Sequence, residues 1–435
     1  MYIIRISASF NVQGIFSLSR SLLFLMVFSV NSIVAQVNTF DTLSLKDCIQ
    51  LGILNNPGFE SSRFLVEETK AKLDEAYSGY YPTVSLNSNA DAFSKNNGSQ
   101  RYESFNTGVN LSYNIFQGYK IKSTYGASLD NYQANVYQYE TNRQNLIFNI
   151  IQAYYRTLQS ERILRSSIEA VKNSSLHLEF ANAKQKAGMA TRSDILKSEV
   201  ELSNAELNKI KAINTLLAAK GNLNQLMGMP SDYKIGLVDD LSITDETLIH
   251  PFDSLLVEAV NSRTELKKYQ SLLDAQKKYI QVAKSGYYPS LSANANYNFA
   301  GPEVTSMQQN WWLGMTLSVP VFKGFSNKSR VKQEEFAFQG LEKDFEQLKL
   351  QISQEVWNAR LSVKESVERI STSLKATVSA KENLSIAEGE YKEGIGSIIQ
   401  LTDAQTTFVA AEQNYIQTLA DFKISFAELQ RTIGK

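Results

Sequence analysis

Few side chains in this sequence could carry chemistry. Its 435 residues include two histidines, His177 and His250, far apart along the chain, and a single cysteine, Cys48. A lone cysteine forms neither an intrachain disulfide nor a cysteine-based zinc cluster, and two distant histidines do not make a ligand set. His177 lies in SSLHLEF, a run with helical periodicity, and His250 lies in a linker; neither has a nucleophile or carboxylate at a recognisable catalytic spacing. Both read as surface or linker histidines. No phosphate-cradling glycine loop is present, so energy must come from a partner or a gradient. The sequence therefore predicts a protein that is not an enzyme and uses no cofactor and no metal. Met-rich and His-rich tracts are also missing, which argues against a metal-ion specialist. Lys and Arg total 44 and Asp and Glu 44, a balance that gives no support for nucleic acid as a partner.

With so little chemistry to place, the elements themselves carry the information. Residues 1–35 read as an export signal: Arg5 and Arg20, the apolar run SLLFLMVFSV, then a small residue, Ala35. That run is too short to span a bilayer as a stable helix, and no later stretch is apolar for about 18 residues or more. A membrane location therefore requires a β-barrel, because only closed barrels and helices satisfy every backbone group in lipid.

Internal duplication sets the organisation. Ser78-Gly79-Tyr80-Tyr81-Pro82 recurs as Ser285-Gly286-Tyr287-Tyr288-Pro289, an offset of 207. Phe116 and Gly118 recur as Phe322 and Gly324, Gly188 as Gly394, and Gly228 as Gly434, each at 206. The expected division is a signal at 1–35, a first repeat at 36–228, a linker at 229–253 and a second repeat at 254–435. Within each repeat the period switches from helix to strand and back. Val84 and Leu86 alternate with Thr83, Ser85 and Asn87, and similar alternation predicts strands at about 83–93, 106–116, 290–300 and 312–322. About ten residues suits a tilted strand crossing the hydrocarbon layer. The polar sides are Ser, Thr and Asn, as a water-filled lumen requires, and Tyr80, Tyr81, Phe93, Tyr287, Tyr288, Trp311 and Trp312 sit where an interfacial girdle would put aromatics. Four strands cannot close a membrane barrel, so several chains must contribute to one.

The rest of each repeat is helical. No proline occurs in 83–229 or 321–435, and the run from Tyr119 to Lys186 would reach roughly 100 Å as a helix. Leu401, Ala404, Phe408, Ala411, Tyr415, Leu419, Phe422, Phe426, Leu429 and Ile433 form a near-heptad seam; Leu196, Val200, Leu207, Ile210 and Leu217 form a less regular one.

The export signal, the duplicated unit, the Gly-Tyr-Tyr-Pro entry to one strand, the Phe-x-Gly exit from the next and the Gly-x-x-Ser/Thr helix turns together resemble TolC-like outer-membrane efflux proteins. The resemblance spans essentially the whole chain after the signal. It implies an α+β membrane protein in which long antiparallel coiled-coil helices form a periplasmic α-barrel and four strands per chain enter a trimeric 12-stranded outer-membrane β-barrel. The resemblance further implies a homotrimer in outer-membrane lipid reaching into the periplasm, acting as the exit duct of a tripartite efflux system for small molecules. A periplasmic adaptor protein would join it to an inner-membrane pump. Pro82, Gly118, Pro289 and Gly324 then mark barrel–helix junctions. Gly188, Thr191 and Ser193, with Gly394 and Ser397, mark the adaptor-docking tips. Tyr391 and Asp194 fall on the family's gate link; Gly396 replaces its basic residue; Asp403 keeps one acidic ring position and Gln400 replaces the other. Three copies of Asp403 around an axis would attract cations. The same duct serves type I protein secretion, which the sequence does not separate from small-molecule efflux. An exported coiled-coil structural protein would account for the helices and leave the four alternating strands unexplained.

Overall fold

The computed structural model describes residues 42–95, 100–242 and 251–435, so the expected export signal and His250 lie outside the described residues. Two helical hairpins run along the chain. Helix α3 (Lys120–Lys186) returns as α4 (Arg192–Leu226), and α7 (Ser326–Glu393) returns as α8 (Ile398–Thr432). α3 and α7 have 67 and 68 residues, about 100 Å each at the helical rise. Gly126, the one breaker in the first run, does not interrupt α3. Helix α6 (Thr264–Lys284) packs over it, with Lys278 Nζ donating to the Gly126 carbonyl at 3.3 Å and to Asp130 at 2.6 Å.

The seam on α8 packs as its spacing predicts: Leu401, Ala404, Leu419, Phe422, Leu429 and Ile433 are buried. The α4 positions behave differently. Leu196, Val200, Leu207, Ile210 and Leu217 are 48–61% exposed, because α4 turns Ile195, Ser198, Ala212 and Leu223 inward instead. An apolar stripe of near-heptad spacing therefore faces away from its own chain.

Midway, short elements wrap the hairpins: β1 (Thr42–Leu43), α1 (Leu45–Asn55), α2 (Pro57–Ser78), β4 (Gly236–Leu237) and α5 (Phe252–Ser262). β1 and β4 pair in parallel. Below them Cys48, Ile150, Tyr154, Leu158, Leu223, Met227 and Leu241 form the largest core cluster, and burial pushes the Cys48 thiol up to about 12, leaving it unreactive. Arg162 and Arg165 pin the linker through Asp239 at 2.7 and 2.8 Å. Burial would raise that carboxyl, but the two guanidinium groups outweigh it and hold it at about 2.

Four strands form one antiparallel sheet in the order β2 (Thr83–Lys95), β3 (Gln100–Gln117), β5 (Ser290–Gly301), β6 (Gln308–Ser318). Directly paired residues share a face. Val84 and Leu86 stand opposite Leu111 and Val109, which stand opposite Ala295 and Tyr297, which stand opposite Leu313 and Trp311. The other face carries Asn and Ser side chains bonded across strands: Ser112 to Asn294 at 2.9 Å, Asn296 to Asn110, and Asn298 to Asn106 at 3.2 Å. Three expectations shift. β3 starts six residues earlier than the alternation suggests, because its ladder with β2 continues to Gln100 opposite Lys95. β6 starts and ends four residues earlier: its ladder with β5 begins at Gln308 opposite Ala300, and Pro320 has no N–H to continue it at the other end. Trp312 stands opposite Asn296 on the polar face, so of the tryptophan pair only Trp311 joins the apolar side. β2 and β6 each leave an edge unpaired within the chain.

Candidate functional site: strand–helix junctions and hairpin tips

At each exit from the sheet the chain must turn sharply into a 100 Å helix. Pro82 and Pro289 immediately precede β2 and β5, where a fixed φ and a missing N–H are tolerated. At the opposite exits two consecutive residues adopt left-handed backbone: Gly118 (φ 58°) with Tyr119 (φ 65°), and Gly324 (φ 57°) with Phe325 (φ 62°). A Cβ on Gly118 would stand 2.6 Å from the Tyr288 Cβ, so only glycine fits there. Tyr119 and Phe325 are N-caps of α3 and α7 without a capping side chain, and sequence reasoning passed over them. The signal available was an aromatic after the glycine in both repeats.

Both tips use one construction. Gly188 (φ 75°) and Gly394 (φ 81°) end the first helix of each hairpin in left-handed conformation. The following amides, Met189 N and Ile395 N, donate back to the carbonyls of Lys184 at 2.8 Å and Glu390 at 3.0 Å, the bonding of a Schellman turn. The return helix then starts with a reciprocal cap. Thr191 N donates to Asp194 Oδ2 at 2.8 Å while Asp194 N donates to Thr191 Oγ1 at 3.3 Å. In the second hairpin Ser397 N donates to Gln400 Oε1 at 2.9 Å while Gln400 N donates to Ser397 Oγ at 3.3 Å. Ser193 is exposed and takes no part in the cap.

This geometry bears on the residues that the resemblance assigns to a gate. Asp194 and Gln400 occupy equivalent positions of the duplicated unit, and both side chains are engaged in capping. Hydrogen bonds from the Thr191 backbone and hydroxyl hold the Asp194 carboxyl below its usual range. Tyr391 is buried, yet its hydroxyl has no hydrogen-bond partner, so it is not bonded to Asp194. Burial and the nearby Asp194 charge push the phenol pKa up. What holds Tyr391 is Lys184 on α3. Its ammonium donates to the Tyr391 carbonyl and lies 4.2 Å from the ring centroid. Gly396 explains the missing basic residue: its N–H donates to Glu390 O at 3.0 Å, and a Cβ there would come 2.9 Å from Glu390 Cβ. Asp403 is exposed.

Above the tips, polar links join the hairpins at intervals. Asp421 of α8 pairs with Arg156 of α3 at 2.9 Å and Arg369 of α7 at 3.6 Å. Ser166 of α3 donates to Glu412 of α8. His177 is not a surface residue as its polar sequence surroundings suggest; it is buried against Glu201. None of these groups is set out as a nucleophile with its base, and no helix among the described residues is long and apolar enough to cross a membrane. The arrangement joins long helices and carries an open sheet with one polar face.

Comparison with known proteins agrees with this architecture. The model of the outer membrane efflux protein family matches residues 48–229 and 255–435. The chain is 22% identical over 367 residues to outer membrane protein TolC of Vibrio cholerae serotype O1, covering 82% of this chain and 83% of that one. It is 23% identical over 415 residues to outer membrane protein TolC of Escherichia coli strain K12, covering 90% and 82%. In structure it is similar to the Campylobacter jejuni CmeC outer membrane channel, with a TM-score of 0.80 at 18% identity, over 90% of this chain and 85% of that one. The two matched segments fall on the two repeats, so the chain belongs to the outer membrane efflux protein family, an outer-membrane channel protein whose helical hairpins extend into the periplasm.

Proposed function

We propose that three copies of this chain assemble into one passive exit duct of a tripartite efflux system, conducting small molecules such as drugs and toxic compounds across the periplasm and outer membrane. The sheet carries this reading. It has one apolar face, one face of bonded Asn, Ser and Thr, and two unpaired edges, a combination stable in lipid only when further copies close it around water. The exposed stripe on α4 supports the same assembly along the helices, with Leu350, Val378 and Ile386 exposed on α7. In this reading transport depends on an inner-membrane pump reached through a periplasmic adaptor docked at the Gly188 and Gly394 tips. Native mass measurement of the detergent-extracted protein should show a closed trimer, and a folded monomer in that measurement would sink the proposal.

The gate lies at the same end. Because Lys184, rather than Asp194, grips Tyr391, Lys184→Met is expected to raise resting conductance in planar bilayers, whereas Tyr391→Phe alone leaves it unchanged, its hydroxyl having no partner to lose. Asp403→Ala should lower cation preference by removing the ring of three carboxylates. Equal conductance and selectivity in all three variants would remove this gate and leave the duct standing.

A further inference from the structure

Between the tips and the midsection, one histidine is buried where four helices meet. His177 is 4% exposed and Glu201 8%. Helix α3 supplies His177 and Ser174, α4 supplies Glu201, α7 supplies Glu388 and α8 supplies Thr402. His177 Nδ1 stands 3.4 Å from Glu201 Oε1, and its Nε2 stands 3.8 Å from Glu388 Oε1. Glu201 also accepts from Ser174 Oγ at 3.2 Å and from Thr402 Oγ1 at 2.9 Å. One ring nitrogen thus faces a carboxylate of its own hairpin, and the other faces a carboxylate of the second.

Both ring positions can donate only in the charged imidazole; the neutral ring has one N–H and leaves one carboxylate without a donor. Glu201 stays ionised. Burial would raise its carboxyl, but the hydrogen bonds from His177, Thr402 and Ser174 outweigh that and hold it below its usual range. Among the described residues, no lysine or arginine ion-pairs with Glu201. Toward the tip, Lys184 is engaged with Tyr391, Lys392 lies over the Phe180 ring, and Lys197 of α4 acts on Asp194. Gln405 of α8, buried with Oε1 unpartnered, lines the same cleft of about 690 Å³ as Glu201, Ser174 and Thr402, and Glu388 is 33% exposed, so protons have a route in.

We propose that His177 is a pH-operated latch between the two hairpins: protonated, it ties α3 and α4 to α7 through Glu201 and Glu388, and deprotonated, it releases α7. The latch rests on the exit-duct reading. Imidazole is the side chain whose charge ordinarily changes between about pH 5 and 8, which sets the range over which the latch is tested. The sign follows from the charges. Hairpin association is strongest with the imidazolium present and weakens as pH rises.

Trimers in planar bilayers test this at pH 5.5 and 7.5. Resting conductance is expected to rise about fivefold or more on going to pH 7.5, the lower end of ordinary coupling between sites. His177→Gln, uncharged at both values, should abolish the step, and Glu388→Gln, altering a partly exposed side chain, should reduce it. A full step in His177→Gln overturns the latch. If that variant does not form trimers, an undiminished step in Glu388→Gln overturns it and a reduced one supports it. Amide hydrogen exchange around residues 195–205 and 384–391, corrected for intrinsic rates, should be slower at pH 5.5 than at 7.5 in the wild type, with a smaller difference in Glu388→Gln. That readout does not depend on conduction, so a protein that conducts at neither pH counts against the duct alone, and equal exchange at both pH values in the wild type overturns the latch.

Discussion

Leu313→Arg should strip the trimer from outer-membrane fractions, whereas Thr316→Arg, three residues along the same strand, should leave it assembled. Leu313 is 70% exposed in the chain and lies opposite Ala295 on the face that also carries Leu111 and Val84. It is mid-strand in β6, so an arginine there sits close to the bilayer midplane and costs about 2–4 kcal/mol per chain, three times over in a trimer. Thr316 stands opposite Ser292 on the face of bonded Asn and Ser side chains, where a guanidinium meets water. Depth adds a third arm. Leu317 shares the Leu313 face but is the penultimate residue of β6, so Leu317→Arg should cost only about 0–1 kcal/mol, the value near an interface. Trimer yield in membrane fractions and denaturant midpoints after extraction measure all three. Similar losses for Leu313→Arg and Thr316→Arg would show that the two faces of the sheet are assigned the wrong way round.

The features that made this fold legible in the sequence are local ones. Period-two alternation and two tracts free of proline each lie within one continuous stretch, and a duplication at an offset of 206 or 207 repeats them; they survived into the structure as strands, helices and paired hairpins. Residue roles that depend on a distant partner were not legible. The α4 stripe from Leu196 to Leu217 has the spacing of a buried seam, but spacing cannot say whether the covering surface belongs to the same chain. His177 reads as a polar-surface histidine because Glu201 and Glu388, the groups that accompany it into the interior, are separated from it by 24 and 211 positions. Asp194 and Gln400 illustrate the opposite case. Their capping role was readable from Thr-x-x-Asp and Ser-x-x-Gln alone. The β6 boundary was readable too, since Pro320 stands where the ladder must stop.

The tip glycines allow docking to be separated from folding. Gly188 and Gly394 have φ of 75° and 81°, so proline there would break the turn and confound any loss of export with misfolding. Asparagine tolerates the left-handed region better than other side chains, at a cost of roughly 1–2 kcal/mol or less. A Cβ added at Gly188 meets nothing within 4 Å, and one at Gly394 meets only the flexible end of Met189 at 3.7 Å. Within the chain, then, nothing demands a bare backbone at these positions beyond the turn itself. If an adaptor packs over the tips, the added side chains stand in its way. Gly188→Asn with Gly394→Asn should therefore leave insertion, trimer mass and single-channel conductance as in the wild type while weakening adaptor binding about tenfold, or 1.4 kcal/mol, with export falling in step. Adaptor pull-down and drug-susceptibility assays read the two effects. Full export from a correctly inserted double variant would mean that the tips are turns and nothing more, and the adaptor would then have to grip the hairpins along their sides.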